Sequence, residues 1–206
     1  MDAIGSGARV VALVGPAGAG KTSLAEALLE AAGAIPRLGS VEAGTCIGDS
    51  SPEARSRGAS TELNFCRFNY AGDDYILLDA PGSVGFAAET DCALDIADLA
   101  LVVIPPEPER APLAEPLLRE LEARGVPHAI FVNKIDKAPG TIAQLLDAIE
   151  PLSSAALVAR QIPITKGEGV VGFIDLALDR AYHYRQGKAS ELQPISEDMR
   201  DAETTA

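Results

Sequence analysis

The chain contains no tryptophan, and aromatic residues make up only 4% of its 206 residues. A core must therefore come from Leu, Ile, Val and Ala, which a hydrophobic fraction of 47% supplies. There are two histidines and three cysteines, the latter at 46, 66 and 92. Neither a C-x-x-C pair nor a Cys/His cluster occurs, so the sequence suggests no zinc site and no disulfide framework. The three cysteines read as ordinary small apolar residues, and a reducing cytoplasm is the expected compartment. Basic residues are outnumbered 17 to 30 by acidic ones, for a net charge of −13. That balance argues against nonspecific nucleic-acid binding by the chain as a whole, and no element reads as a sequence-specific reader. No apolar run approaches the ~20 residues needed to span a bilayer, and the first residues lack the pattern of a secretory signal.

What is present is organised around residues 10–22, VVALVGPAGAGKT. They predict a buried strand, a glycine-rich turn and a helix start. Gly15 to Thr22 satisfy G-x-x-x-x-G-K-[ST] in full, the phosphate-binding loop. Gly15, Gly18 and Gly20 let backbone N–H groups approach phosphate oxygens, with Pro16, Ala17 and Ala19 between them. The helix beginning near Lys21 points its positive dipole end at the same oxygens. Lys21 reaches the β- and γ-phosphates, and the Thr22 hydroxyl suits Mg²⁺.

Along the chain, residues 1–8 read as a lead-in, Arg9–Val14 as the first strand and residues 21–32 as the first helix, with Leu24 and Leu28 against the sheet and Gly33 as the stop. Residues 34–60 form a long polar stretch of the kind that is usually functional or disordered, and its place after the first helix, with a hydroxyl residue near its end, favours a nucleotide-sensing switch over a disordered insert. Residues 61–70 and 74–79 predict a hairpin turned by Ala71, Gly72 and Asp73. Helices are expected at 86–97, 112–124 and 141–149. The second carries a stripe of Leu113, Leu117, Leu118 and Leu121. The third turns Ile142, Leu145, Leu146 and Ile149 inward. Strands are expected at 99–104, 129–132 and 156–162. This alternation implies an α/β fold: a mostly parallel sheet with one antiparallel edge hairpin and helices on both faces. After residue 165 the rhythm changes to strand material over 169–184, then to a polar, acidic tail from 187, expected to be mobile. The expected domains are residues 9–165 for nucleotide binding and 166–206 for the start of a small β-containing insertion and tail.

Two further strand ends carry chemistry. Asp79-Ala80-Pro81-Gly82 follows an apolar strand: Asp79 suits Mg²⁺ through water, and the Gly82 N–H meets a γ-phosphate. Asn133-Lys134-Ile135-Asp136 follows another. Asp136 accepts from the N1–H and exocyclic amine of guanine, donors that adenine lacks on that edge. Asn133 ties its loop to the phosphate loop, and the Lys134 stem covers the base. The ordered set points to GTP/GDP with Mg²⁺. An ATP-dependent protein would rest on the phosphate loop alone and conflict with Asp136.

With these motifs placed, the chain resembles a translational GTPase, specifically the G domain of elongation factor G or an elongation-factor-G-like paralogue. The likeness extends to Gly33-Ala34-Ile35, Gly39-Ser40-Val41 and Gly44-Thr45 after the first helix, and to Arg57-Gly58-Ala59-Ser60, similar to the R-G-I-T switch segment. It continues through Asp79 to Phe86, similar to D-x-P-G-H-V-D-F. Residues 169–176, GVVGFIDL, resemble the strand opening the insertion called G′. The resemblance implies a P-loop NTPase G domain with nucleotide contacts from residues 15–23, Ser23 included, and from Asp79, Gly82, Asn133, Lys134 and Asp136. It implies Mg²⁺ at Thr22, Ser60 and Asp79, catalysis at Lys21, Gly82 and Ser83, and a ribosome-linked conformational cycle in which residues 37–62 and 82–90 switch.

This chain departs from the family pattern at several points. Ser60 stands for the family's Mg²⁺-binding Thr and keeps the hydroxyl. Ser83 stands for the His that positions the attacking water, and Gly85 for an acidic residue. The family's last guanine-contacting loop follows the insertion, beyond the end of this sequence, so the chain resembles an N-terminal fragment. GTP hydrolysis is the first expectation. A GTP-binding switch with weak hydrolysis, because of Ser83, is the alternative.

Overall fold

A computed structural model of the chain describes residues 7–48, 54, 56, 59–167, 169–185 and 188–195. Residues 1–6 of the lead-in, Arg57 and Gly58 of the switch-like segment, and residues 196–206 of the tail lie outside the described residues. The strands of the first sheet are β1 (Arg9–Val14), β2 (Asn64–Tyr70), β3 (Asp73–Asp79), β4 (Leu99–Ile104) and β5 (His128–Val132). Their order is β2-β3-β1-β4-β5. All neighbours are parallel except β2 with β3, which form the expected hairpin around Ala71 and Gly72.

The pleat of β1 explains why helices cover both faces. Val11 and Leu13 point to one side and pack with Leu24, Ala25 and Leu77 beneath α1 (Lys21–Ala31). Val10, Ala12 and Val14 point to the other. There they join the core made by α2 (Ala87–Ile96), α3 (Glu115–Arg124) and α4 (Ile142–Ile149). Aliphatic residues fill both cores, as the scarcity of aromatics requires. Arg124, at the end of α3, ties α2 down through Asp91 and Asp95 and also pairs with Glu120.

Helix boundaries follow capping chemistry. α1 ends where Gly33 takes φ 72° and the N–H groups of Gly33 and Ala34 return to Glu30 and Leu29. α4 opens on a capping box, Thr141 with Gln144, and buries Leu145 and Ile149. Leu146 is half-buried, and the Ile142 side chain lies outside what is described.

Four expectations are corrected. Leu28 is 37% exposed, on an open groove that Val11, Phe68, Tyr75 and Leu77 also line, and only Leu24 of the expected pair packs into the buried cluster. The helix expected over 112–124 is a 3₁₀ turn, Pro108–Ala114, followed by α3. Pro112 lies within that turn, and Leu113 falls off the apolar stripe at 56% exposure. The strand expected over 156–162 is irregular up to Arg160. Leu157 packs on the core while Val158 points into solvent, and pairing begins at Gln161.

That pairing belongs to a second, antiparallel sheet of β6 (Gln161–Lys166), β7 (Gly169–Asp175), β8 (Arg180–Arg185) and β9 (Lys188–Gln193). β9 occupies part of the tail expected to be mobile; it pairs with β8 although all six of its residues are exposed. Phe173 stacks on Tyr182 at 5.0 Å across β7 and β8. Asp175 closes the β7–β8 turn by accepting from Leu178 N, Ala177 N and Arg160. Burial pushes the Asp175 carboxyl up, but these bonds outweigh it and hold the group below its ordinary range.

Candidate nucleotide-binding site

The residues singled out in the sequence collect at the carboxyl ends of β1, β3 and β5. This is the usual location of ligands on open α/β sheets. Residues 15–20 form a tight loop between β1 and α1, with Ala19 fully buried and its N–H 3.3 Å from Pro16 O. Gly20 has φ 93°, and a Cβ there would collide with Asn133 Nδ2. Both the backbone and the space therefore demand glycine. Lys21 is 6% exposed and folds its ammonium back into the loop, donating to Gly15 O at 2.9 Å and Pro16 O at 3.3 Å.

Below the loop lies a cluster of oxygen atoms. Thr22 Oγ1 donates to Asp79 Oδ2 at 2.7 Å and lies 3.1 Å from Ser60 Oγ. Asp79 is 2% exposed at the end of β3. Residues far apart in sequence thus bring two hydroxyls and a carboxylate together. Gly82 lies against the same end of the loop: a Cβ there would strike Lys21 Nζ and fall 2.7 Å from Ala17 N. Its backbone fits against the loop only because no side chain intervenes.

Two residues expected at the site are not brought into this cluster. Ser83 is exposed at the start of the 3₁₀ turn Val84–Phe86, next to Val84 at 92% exposure. Ser23 is exposed on the outer side of α1. For Ser83 the physical reason is local. The segment after Gly82 turns away as a short 3₁₀ helix, with Phe86 N closing on Ser83 O at 2.9 Å.

The third motif closes the other end of the loop. Asn133 Nδ2 donates to Ala19 O at 2.9 Å, and its Oδ1 accepts from Lys134 N. Lys134, at φ 58°, sends its ammonium 2.8 Å from Gly18 O. The Lys134 stem thereby crosses the loop as a low wall. Asp136 follows on the 3₁₀ turn Ile135–Lys137 with its side chain exposed.

Two further residues belong to this neighbourhood. Glu26, one helical turn after Thr22, is 2% exposed and accepts from Gly39 N at 2.8 Å and Ile47 N at 2.6 Å. It pins the segment that follows α1. The i, i+4 spacing from Thr22 is the signal that would have located it. Arg110 donates from Nη2 to Ala17 O at 3.2 Å. Its distance of 93 residues from that partner leaves no local signal in the sequence. Nearby, burial and then the Asp79 and Glu26 carboxylates push the Cys66 thiol above its ordinary value of 9.0.

The fold and this arrangement define a P-loop, guanine-nucleotide-binding G domain. The family model for the elongation factor Tu GTP binding domain matches residues 6–195, and the chain belongs to that family. Within it, the chain is a translational GTPase G domain of the elongation-factor-G type. It is 38% identical over 198 residues to an elongation factor G-like protein of Synechocystis sp., covering 96% of this chain and 30% of that protein. A Mycobacterium tuberculosis elongation factor G-like protein is 33% identical over 93% of this chain and 26% of its own. A peptide chain release factor 3 of Lactobacillus helveticus is 29% identical over 92% and 37%. A crystal structure of a Thermus thermophilus protein superposes with a TM-score of 0.84 at 34% identity, covering 96% of this chain and 30% of that one. The chain thus spans about a third or less of these relatives. The GTP-binding family assignment removes the ATP-dependent reading, and the comparisons do not favour the weakly hydrolysing switch. Among the described residues no helix is long and apolar enough to cross a membrane.

Proposed function

We propose that this chain binds GTP and GDP with Mg²⁺ and hydrolyses GTP, as the motor domain of an elongation-factor-G-like protein acting on the ribosome in the cytoplasm. The observation that carries the reading is the convergence of Lys21, Thr22, Asp79 and Gly82 on one end of the loop, with Asn133 and Lys134 on the other. Residues 15–23 cradle the phosphates, and Lys21 neutralises them. Asp136 selects guanine. Gly82 contributes the N–H that distinguishes GTP from GDP, and Ser83, exposed beside it, has to turn inward to position the attacking water. The nucleotide-binding unit spans residues 9–165 and the beginning of the insertion follows from residue 166.

The donor set fits magnesium. Thr22 and Ser60 offer hydroxyls and Asp79 a buried carboxylate, all hard oxygen ligands. Among the described residues there is no cluster of three His, Cys, Asp or Glu that would favour a softer or larger ion. The ion, when bound, supplies charge neutralisation between the phosphates. The chain's own residues do the remainder: Asp79 accepts a hydrogen bond from the Thr22 hydroxyl and so leaves the threonine lone pairs for the ion.

Calorimetric titration with GDP, GTP and ADP, with and without Mg²⁺, tests binding. Micromolar or tighter Mg²⁺-dependent GDP binding without an ADP signal is expected. No GDP binding by the folded chain refutes the site. Phosphate release from GTP, with and without ribosomes, tests hydrolysis. Background rates in both conditions refute it.

A further inference from the structure

Arg110 stands at the lip of the phosphate loop with a charge that none of the recognised motifs supplies. Its guanidinium carries five N–H donors and is always charged. Among the described contacts its side-chain partner is one neutral carbonyl, Ala17 O at 3.2 Å. A charged donor gains roughly twice as much from an anionic acceptor as from a neutral one. The resting contact is therefore weak beside the one a phosphate would offer.

The position along the loop is informative. Ala17 is the residue whose amide borders Gly82, 2.7 Å from where a Cβ on Gly82 would lie, at the end where Lys21 Nζ also sits. Arg110 Nη2 lies 3.9 Å from the corresponding point on Gly18. The guanidinium thus rests over Ala17 and Gly18, between the end where Gly82 meets Lys21 Nζ and the Gly18 O that receives Lys134 Nζ, and the Ala17 amide beside it is the one that borders Gly82. Its base is firmly held. Arg110 N donates to Glu107 O at 3.0 Å, and the turn that carries it buries Ala111 and Ala114 against the helical core, after the buried Pro105 at the end of β4. Only the side chain has to move.

We propose that Arg110 is an intrinsic cation for the terminal phosphate: on GTP binding its guanidinium leaves Ala17 O and donates to a non-bridging γ-oxygen. It thereby brings to this corner the positive charge that exposed Ser83 cannot. The inference rests on the nucleotide-binding reading above.

The test compares the affinities of wild type, Arg110→Ala and Arg110→Lys for GDP and for guanylyl imidodiphosphate, in Mg²⁺, by calorimetry. Thermal melts confirm that each variant folds. A hydrogen bond to a charged group corresponds to a loss of about ten- to a hundredfold. That loss is expected for the triphosphate analogue with Arg110→Ala, with GDP affinity within about twofold of wild type and partial recovery in Arg110→Lys. Equal losses for both nucleotides would place Arg110 on the β-phosphate or in the loop's own structure and overturn the proposal. No loss for either would overturn it as well. Failure of folded wild type to bind either nucleotide is seen before any variant is made, and it refutes the site reading itself.

Discussion

Replacing Glu26 by glutamine should release the segment after α1 while leaving the sheet intact. Glu26 is 2% exposed, and each of its carboxylate oxygens holds one backbone N–H, that of Gly39 or of Ile47. A hydrogen bond to a charged acceptor contributes about 1.5–3 kcal/mol, and a buried donor left without a partner costs about 1–3 kcal/mol. Glutamine keeps one acceptor oxygen but turns an NH₂ toward the other N–H. The expected local cost is therefore about 2–4 kcal/mol. Opening of this kind is read by native-state amide exchange. Exchange at Gly39 and Ile47 should accelerate about 30- to 700-fold, with amides of β1, β3 and β4 unchanged. Glu26→Asp should behave similarly, because its shorter arm cannot span both N–H groups. Unchanged exchange at Gly39 and Ile47 would refute the account. Uniform acceleration across the first sheet would show instead that Glu26 supports the whole fold.

Asp136→Ala should weaken GDP binding by about 100-fold or more through loss of two charge-assisted bonds to the base, leaving the melting temperature within a degree or two; calorimetry and a thermal melt read the two effects. Glu122 accepts from Ser154 and Ser153 hydroxyls and from Ser154 N, and these bonds hold its carboxyl below its ordinary value of 4.5. Because the folded value is depressed, its stabilisation is full above 4.5 and fades as pH falls through the folded value. The melting-temperature gap between wild type and Glu122→Gln should accordingly be constant near neutrality and close in acid. Cys92 is exposed, whereas Cys66 is half-buried with its thiol pushed up by burial and the Asp79 and Glu26 charges. Iodoacetamide at pH 8 should therefore label Cys92 well before Cys66, as followed by peptide mass spectrometry.

The site was legible where chemistry is written in contiguous residues at strand ends. Gly15 to Thr22, Asp79 to Gly82 and Asn133 to Asp136 each join an apolar strand to a turn, so the strand pattern and the motif support each other. The first sheet was legible for the same reason: its strands alternate with helices, and β2 and β3 are separated only by Ala71 and Gly72. The second sheet was less so, because pairing is non-local. Residues 156–159 have the composition of a strand, yet Ile162 finds Ile174 as its partner and Val158 is left in solvent. β9 carries no alternation in K-A-S-E-L-Q, and its strand character comes from β8 alongside it. Glu26 and Arg110 escaped detection because what defines them is a backbone atom contributed by another element.

The strand order explains why these scattered residues meet. β1 is central, with β3 on one side and β4 on the other. Chain connections leaving its carboxyl end diverge there and open a crevice. The phosphate loop fills the crevice, so the residue closing β3, Asp79, must approach Thr22 from one side. The turn leaving β4 must bring Arg110 toward Ala17 from the other. Asn133, one residue past β5, reaches Ala19 across the end of β4, with its own N–H fixed on Ile104 O at 2.8 Å. Each strand end therefore delivers a different residue to the loop: β3 Asp79, the turn after β4 Arg110, and β5 Asn133. α1 links this end to the segment that follows it, since Thr22 in its first turn meets Asp79 and Ser60 and Glu26 in the next holds Gly39 and Ile47. Thr22 and Glu26 thus lie one helical turn apart, the first at the oxygen cluster and the second at the anchor of the segment after α1.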